Sequence, residues 1–181
     1  MPTMNVQILK TAICLGSVAA VLLLLGLTLP HQYSVRRHIV INADSRIIHN
    51  YVNDLRQWEK WVPWTRIDPA LRIIPGRLHR GPGAWQTWQG RDWQGQLIVT
   101  HSAPNEGIRY QIFVDRSTPM TLHSTMKYRR LGKKKTEVTW TAHGAFESPL
   151  TGGFYAMMMD AIFGDLFTKG LVNLKRLIEQ Q

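Results

Sequence analysis

At 181 residues, with 44% hydrophobic and 19% charged positions, the chain suits one compact domain with an appendage and is too short for two full-sized domains. Its composition is neither disordered nor collagen-like, and a single cysteine, Cys14, excludes an intrachain disulfide framework, a four-cysteine zinc site and a cysteine-ligated iron–sulfur cluster. The 22 basic residues against 12 acidic ones leave a net charge of +10, which favours acidic neighbours such as phospholipid head groups or nucleic acid without choosing between them.

Residues 1–10 read as a short tail. From Thr11 to Pro30 the run TAICLGSVAAVLLLLGLTLP carries no charged side chain and lies between Lys10 and His31. As a helix it would be about 30 Å long, which matches the hydrocarbon core of a bilayer. It also lacks the polar stripe of a helix half-buried in a soluble core. Thr11, Ser17 and Thr28 are its only polar side chains, and each can bond to a carbonyl of its own helix. The rival reading is a cleaved signal peptide, whose apolar core is usually about 7–15 residues and ends in a small-x-small site. Here the exit reads Leu27-Thr28-Leu29-Pro30-His31. The expectation is therefore a retained, single-pass transmembrane helix over residues 11–30, in a bacterial inner membrane. Lys10 and the α-amine lie upstream, with Arg36, Arg37 and Arg46 downstream. That balance leans towards a cytoplasmic soluble domain.

Residues 31–181 form that domain. Tyr33–Ile41 reads as a strand, and Asp44 can cap a short helix over residues 45–54 with Ile47, Ile48, Tyr51 and Val52 on its apolar face. A tryptophan-rich stretch, LRQWEKWVPW (residues 55–64), follows and is stopped by Pro63. Between residues 70 and 143, six more short strands are punctuated by Gly, Pro, Asn and Lys turns. Ile108, Tyr110, Ile112 and Val114 share one face of their strand, against Arg109, Gln111 and Phe113. Leu122, Ser124, Met126 and Tyr128 alternate with Thr121, His123, Thr125 and Lys127; Val138, Trp140 and Ala142 oppose Glu137, Thr139, Thr141 and His143. Such alternation marks an antiparallel sheet with unlike faces, and the order of elements excludes a doubly wound nucleotide fold. From Gly152 to Gln180 apolar residues recur at three- and four-residue steps, so a long amphipathic helix of about 25 residues ends the chain, and Gly164 and Gly170 are the places where it can bend.

The strand VRRHIVINAD (35–44), the segment YVNDLRQWEKWVPW (51–64), Asp68-Pro69, GPGAWQTWQG (81–90), TEVTWTAHG (136–144) and FTKGLVNLKRLIE (167–179), in that order, resemble the START-like superfamily. The nearest likeness is to the bacterial polyketide cyclase/dehydrase-like proteins called SRPBCC proteins. The resemblance covers about residues 33–180. It implies an α+β helix-grip (START/Bet v 1-like) fold, in which a curved antiparallel sheet of six or seven strands wraps the C-terminal helix. An elongated apolar cavity between them would take lipids, sterols, polyketides or other hydrophobic molecules. Many such proteins are not enzymes, and the N-terminal membrane segment departs from a freely diffusing carrier.

Ile108, Tyr110, Ile112, Met126, Val138, Trp140, Phe154, Met158 and Ile162 are the candidate cavity lining, although alternation by itself does not say which face of the sheet is concave. The seven tryptophans can line a cavity, fill a core or sit at a bilayer interface. The histidines are scattered singly without a ligand motif, so no metal and no cofactor is expected. Nucleophile elbows, phosphate loops and paired catalytic carboxylates are absent as motifs; His123, His143 and Glu147 are the ionisable groups nearest to a cavity role, and no catalytic residue is assigned. Lys133, Lys134 and Lys135 at a hairpin turn are candidates for anionic head-group contact, against the plainer reading of a turn that blocks edge-to-edge pairing. Nucleic acid is not an expected partner, because the aromatics read as buried. The expected function is a membrane-tethered binding module for a hydrophobic small molecule or lipid. The alternatives are a cyclase or dehydratase acting on a bound apolar substrate and a non-catalytic accessory membrane protein.

Overall fold

The computed structural model describes residues 6–64, 68–115 and 120–180. Helix α1 (Val6–Thr28) leads into strand β1 (Gln32–Ile41) and a short helix α2 (Ser45–Val52), followed by a 3-10 turn at Leu55–Lys60. Six strands come next: β2 (Arg72–Pro75), β3 (Trp85–Gln89), β4 (Gln94–Ala103), β5 (Gly107–Asp115), β6 (Met120–Gly132) and β7 (Lys135–Ala145). Helix α3 (Gly152–Glu179) ends the fold.

Helix α1 absorbs its own polar side chains. Thr11, Ser17 and Thr28 donate to the carbonyls of Gln7, Ile13 and Leu24, four residues back, at 2.9–3.2 Å. The helix starts before Lys10, upstream of the expected residue 11, and stops at Thr28. Pro30 explains the stop, because it disfavours helical backbone at the residue before it. Gly26 is the one buried position among the described residues of α1.

The seven strands form one sheet in the order β1-β7-β6-β5-β4-β3-β2, with every neighbouring pair antiparallel. Sequence-adjacent strands pair throughout except that β1 closes on β7, which brings the two ends of the domain together. The period-two alternation is seen in the structure: Ile108, Tyr110, Leu122, Met126, Val138 and Trp140 are buried on the inner face, whereas Arg109, Lys127 and His143 are exposed on the outer face. At the β4–β5 turn Gly107 has φ +113°, and a Cβ there would run into the carbonyl oxygen of Met126. Only glycine fits that conformation and that approach.

α3 crosses the inner face of the sheet against β1 and β7. The helix is continuous from Gly152 to Glu179. Its glycines serve close approach: Gly164 leaves room for the Arg37 guanidinium and Gly170 for the Trp140 ring. Trp140 stacks on Phe167 at 4.1 Å between ring centres, and its indole N–H donates to the Tyr110 hydroxyl at 2.8 Å.

The helix expected over residues 45–54 ends at Val52, since Asp54 is committed elsewhere. Its buried carboxylate caps the 3-10 turn through the Arg56 N–H and takes the side chains of Arg56 and Arg80 at 2.9–3.1 Å. Trp58 on that turn and Trp61 just after it are fully buried beside Trp140, and the Trp58 indole donates to the Val52 carbonyl at 2.8 Å.

Candidate functional site: an apolar cavity between sheet and helix

The inner face of the sheet is filled along its middle and hollow towards one end. There, between α3 and the strands, lies a cavity of about 860 Å³. Its floor is the Ile112–Val114 end of β5 with Met120 and Leu122 of β6, and its roof is the Tyr155, Met158, Met159 and Ile162 face of α3. Trp64, Trp88 and Trp93 close its side with Leu71 and Ile73.

A row of indoles runs from the core to this wall: Trp61 to Trp58 at 5.2 Å, Trp58 to Trp64 at 6.2 Å, Trp64 to Trp88 at 6.3 Å and Trp88 to Trp93 at 6.2 Å. Trp93 at the rim donates to Asp68 at 3.0 Å. The indole nitrogens of Trp61, Trp64 and Trp88 and the amide nitrogen of Gln86 are buried without a hydrogen-bond partner, a concentration of unpaired donors uncommon in a packed interior.

The chemistry of the lining is that of apolar transfer. Among the described lining residues the one carboxylate is Asp165, half-exposed and paired with Lys169 at 2.6 Å. Tyr155, also half-exposed, supplies a phenol at the mouth.

Of the nine residues read from the sequence as lining, Ile112, Met158 and Ile162 bound the cavity. Ile108, Tyr110, Met126, Val138 and Trp140 do not: they are packed in the core further along the same strands. Burial raises the Tyr110 hydroxyl above its ordinary range, so it remains a neutral partner of Trp140 rather than a proton source. Phe154 turns away from the cavity and packs on Gly26 of α1. Alternation assigns a side chain to a face but not to a place along the strand, which is why the face agrees and the position differs. Val114 and Leu122 carry the same alternation signal and do line the cavity. Trp64, Trp88 and Phe146 come from loops and strand ends, where no local period points inward.

A second, wider depression of about 1450 Å³ lies at the same end of the sheet and is open to the outside. Ser34, Thr121, His123, His143, Phe113 and Gln96 reach it from the outer face. The two hollows share Trp88, Val114, Met120 and Phe146, so the cavity leads out at this end. His123 and His143 stack at 5.5 Å on the outer face, away from the cavity, and Glu147 borders only the open depression. Among the described residues no group of three or more His, Cys, Asp or Glu could hold a metal ion.

The end of the sheet where the cavity opens is also the end where α1 arrives. β1 begins beside α1, with Gln32 opposite Ala145, whereas Ile41 pairs with Thr136 beside the Lys133–Lys135 turn. The lysine turn is thus a full strand of 10 residues from α1, about 30 Å. Arg129, beside Lys133, Lys134 and Lys135, is clamped to Glu137 at 2.8 and 2.9 Å.

A curved antiparallel sheet gripping a long C-terminal helix over an apolar cavity defines the class of helix-grip proteins. The family described as Polyketide cyclase / dehydrase and lipid transport matches residues 32–179, and the chain belongs to that family. Solved structures share the fold at low identity. CV1439 from Chromobacterium violaceum is 17% identical, with 81% of this chain and 96% of that one covered and a TM-score of 0.57. A protein from Thermobifida fusca is 19% identical, covering 81% and 93%, with a TM-score of 0.59. Ms6760 from Mycobacterium smegmatis is 14% identical, covering 81% and 91%, with a TM-score of 0.57. No match was found among curated proteins.

Proposed function

We propose that this protein is a membrane-tethered module that holds a hydrophobic small molecule or lipid in the cavity between α3 and the sheet. The observation that carries the reading is the cavity itself: about 860 Å³, walled by Trp, Met, Ile, Leu and Phe side chains. Its size falls in the range of small-molecule sites, roughly 300–1,000 Å³. A guest that buries about 300 Å² of apolar surface gains on the order of 7 kcal/mol before ordering costs, a driving force that needs no charged anchor. Tethering is supported by α1, the one helix among the described residues long and apolar enough to cross a membrane, with its apolar stretch uncovered by the rest of the chain except at Gly26. The catalytic alternative needs an ionisable group with a tuned proton affinity aimed into the cavity. Asp165 at the rim, already engaged by Lys169, does not favour it.

The test is titration of the full chain in lipid nanodiscs with fluorescent fatty-acyl, isoprenoid and polyketide-like probes, alongside mass spectrometry of small molecules that co-purify. At least one class should bind saturably, and Met158→Trp, which fills the roof of the cavity, should weaken that binding at least tenfold in a protein that still folds. Failure of every probe to saturate, with no co-purifying molecule, would refute the reading. Turnover of a bound probe would favour the enzyme in its place.

A further inference from the structure

The outer face of α3 changes character along its length. In its first three turns the exposed side chains are Tyr155, Met157, Met158, Ala161 and Ile162, and the four large ones are half exposed or more. The single charge there, Asp160, is held by a two-pronged bond from Arg37 at 2.9 and 3.0 Å. Beyond them the exposed face carries Asp165, Thr168, Arg176 and Glu179 around one apolar residue, Val172. An amphipathic helix in water presents a polar outer face, and the second half of α3 does so; the first half does not.

The boundary is placed by α1. Gly26, in its last turn, is in backbone contact with Leu150 and touches the Phe154 ring, while Leu29 lies against Gly153. Glycines at positions 26 and 153 let the two helix ends meet without intervening side chains. A helix from Val6 to Thr28 is about 34 Å long, so its end reaches the edge of the hydrocarbon core. The first turn of α3 is therefore fixed within a few ångströms of that edge, and the apolar turns follow directly from it. Met158, Ile162 and Tyr155 belong to both surfaces at once, facing outwards and lining the cavity.

We infer that the outer face of α3 over residues 154–162 is a docking surface for the bilayer that α1 crosses. The inference rests on the reading of α1 as a span and adds a route: the cavity opens against lipid, and its guest passes laterally from the membrane across Met158 and Ile162 without crossing water. An interfacial helix of this kind buries its apolar face to about 5–10 Å below the head groups. The basic turn at Lys133–Lys135, at the far end of the sheet, is predicted to stay in water.

The experiment uses the full chain with Cys14→Ser and single cysteines carrying an environment-sensitive NBD label, reconstituted in phosphatidylcholine/phosphatidylglycerol vesicles. Leu15→Cys reports the span, Leu150→Cys the junction with α1, Met157→Cys the proposed surface, and Val172→Cys the exposed far half of α3. Met157 and Leu150 do not line the cavity, so their labels leave it intact. Lipids with a quencher near the head group should cut emission at positions 150 and 157 at least threefold more than at 172, and lipids quenching near the bilayer centre should quench position 15. Quenching at 15 with positions 157 and 172 alike would overturn the docking surface and leave the tether standing. No quenching at 15 would remove the tether and the surface together. Disulfide formation between copies of the unlabelled Met157→Cys protein on addition of a copper–phenanthroline oxidant, with no lipid quenching of the labelled protein, would assign the apolar face to a second copy of the chain and overturn the proposal as well.

Discussion

Asp54 shows how one residue joins the loop region to the sheet. Burial by itself would raise its carboxyl, but the Arg56 and Arg80 side chains and the Arg56 N–H outweigh burial and hold it at about 2, below the ordinary 3.8. The folded value lies below the unfolded one, so this stabilisation is complete above about pH 4 and is lost as pH falls towards 2, roughly 2 kcal/mol in all. His49 behaves similarly at a higher range. It is buried against Ser102 and Tyr128, and desolvation lowers its affinity for a proton. Its neutral form is thus favoured in the fold, and stability falls as pH drops below about 6.5. Urea unfolding in mild detergent between pH 8 and pH 2.5 should show both losses. Asp54→Asn should cost about 2 kcal/mol at neutral pH and flatten the lower step while leaving the upper one. An unchanged lower step would place the acid sensitivity elsewhere.

Among the elements, α3 is the one on which both packing and function depend, and its two halves do different work. The second half is pinned to the sheet by the Trp140–Phe167 stack, by Gly170 against the same indole, and by Asn173 donating to the Trp61 carbonyl at 3.2 Å. The first half roofs the cavity, buries Ala156 and Met159 in the core, and touches α1 and Arg37. Trp140→Ala should therefore cost about 3–5 kcal/mol, since it empties a large fully packed site. Trp140→Phe should cost less, about 1–2 kcal/mol, because the ring stack survives and the bond to Tyr110 is lost. Thermal unfolding measures both, and neither change should alter the ligand's position, because Trp140 does not line the cavity. A loss of binding by Trp140→Phe at temperatures well below its Tm would place the indole in the site after all.

At the scale of the whole molecule, the chain reads as a cavity domain hung from an apolar helix by one end. The buried contact of α1 is at Gly26, and the rest of its apolar surface is uncovered by protein. Leaving such a surface in water is strongly unfavourable, whereas a bilayer of matching thickness accommodates it. The full chain should stay in the membrane pellet after alkaline carbonate washing, with an intact mass that includes residues 1–30. Release to the supernatant, or a mass short by that segment, would sever the tether and reduce the protein to a soluble binding domain.

What could be read from the residues alone was whatever local periodicity encodes. The uncharged run after Lys10, the alternation around Tyr110, Met126 and Trp140, and the three- and four-residue steps after Gly152 were enough for the span-like helix, the antiparallel sheet, the gripping helix and the face that is buried. Periodicity carries no information about distance along an element. The hollow at the Val114–Met120 end of the sheet, the filled core around Trp140, and the separation of the lysine turn from α1 were decided by how strands pair and where α3 lies across them. The same holds for Asp54, a loop carboxylate whose two arginines stand 2 and 26 residues away in the chain. The outward placement of Tyr155, Met157, Met158 and Ile162 was likewise decided by tertiary structure, because a helix has more circumference than one sheet can cover.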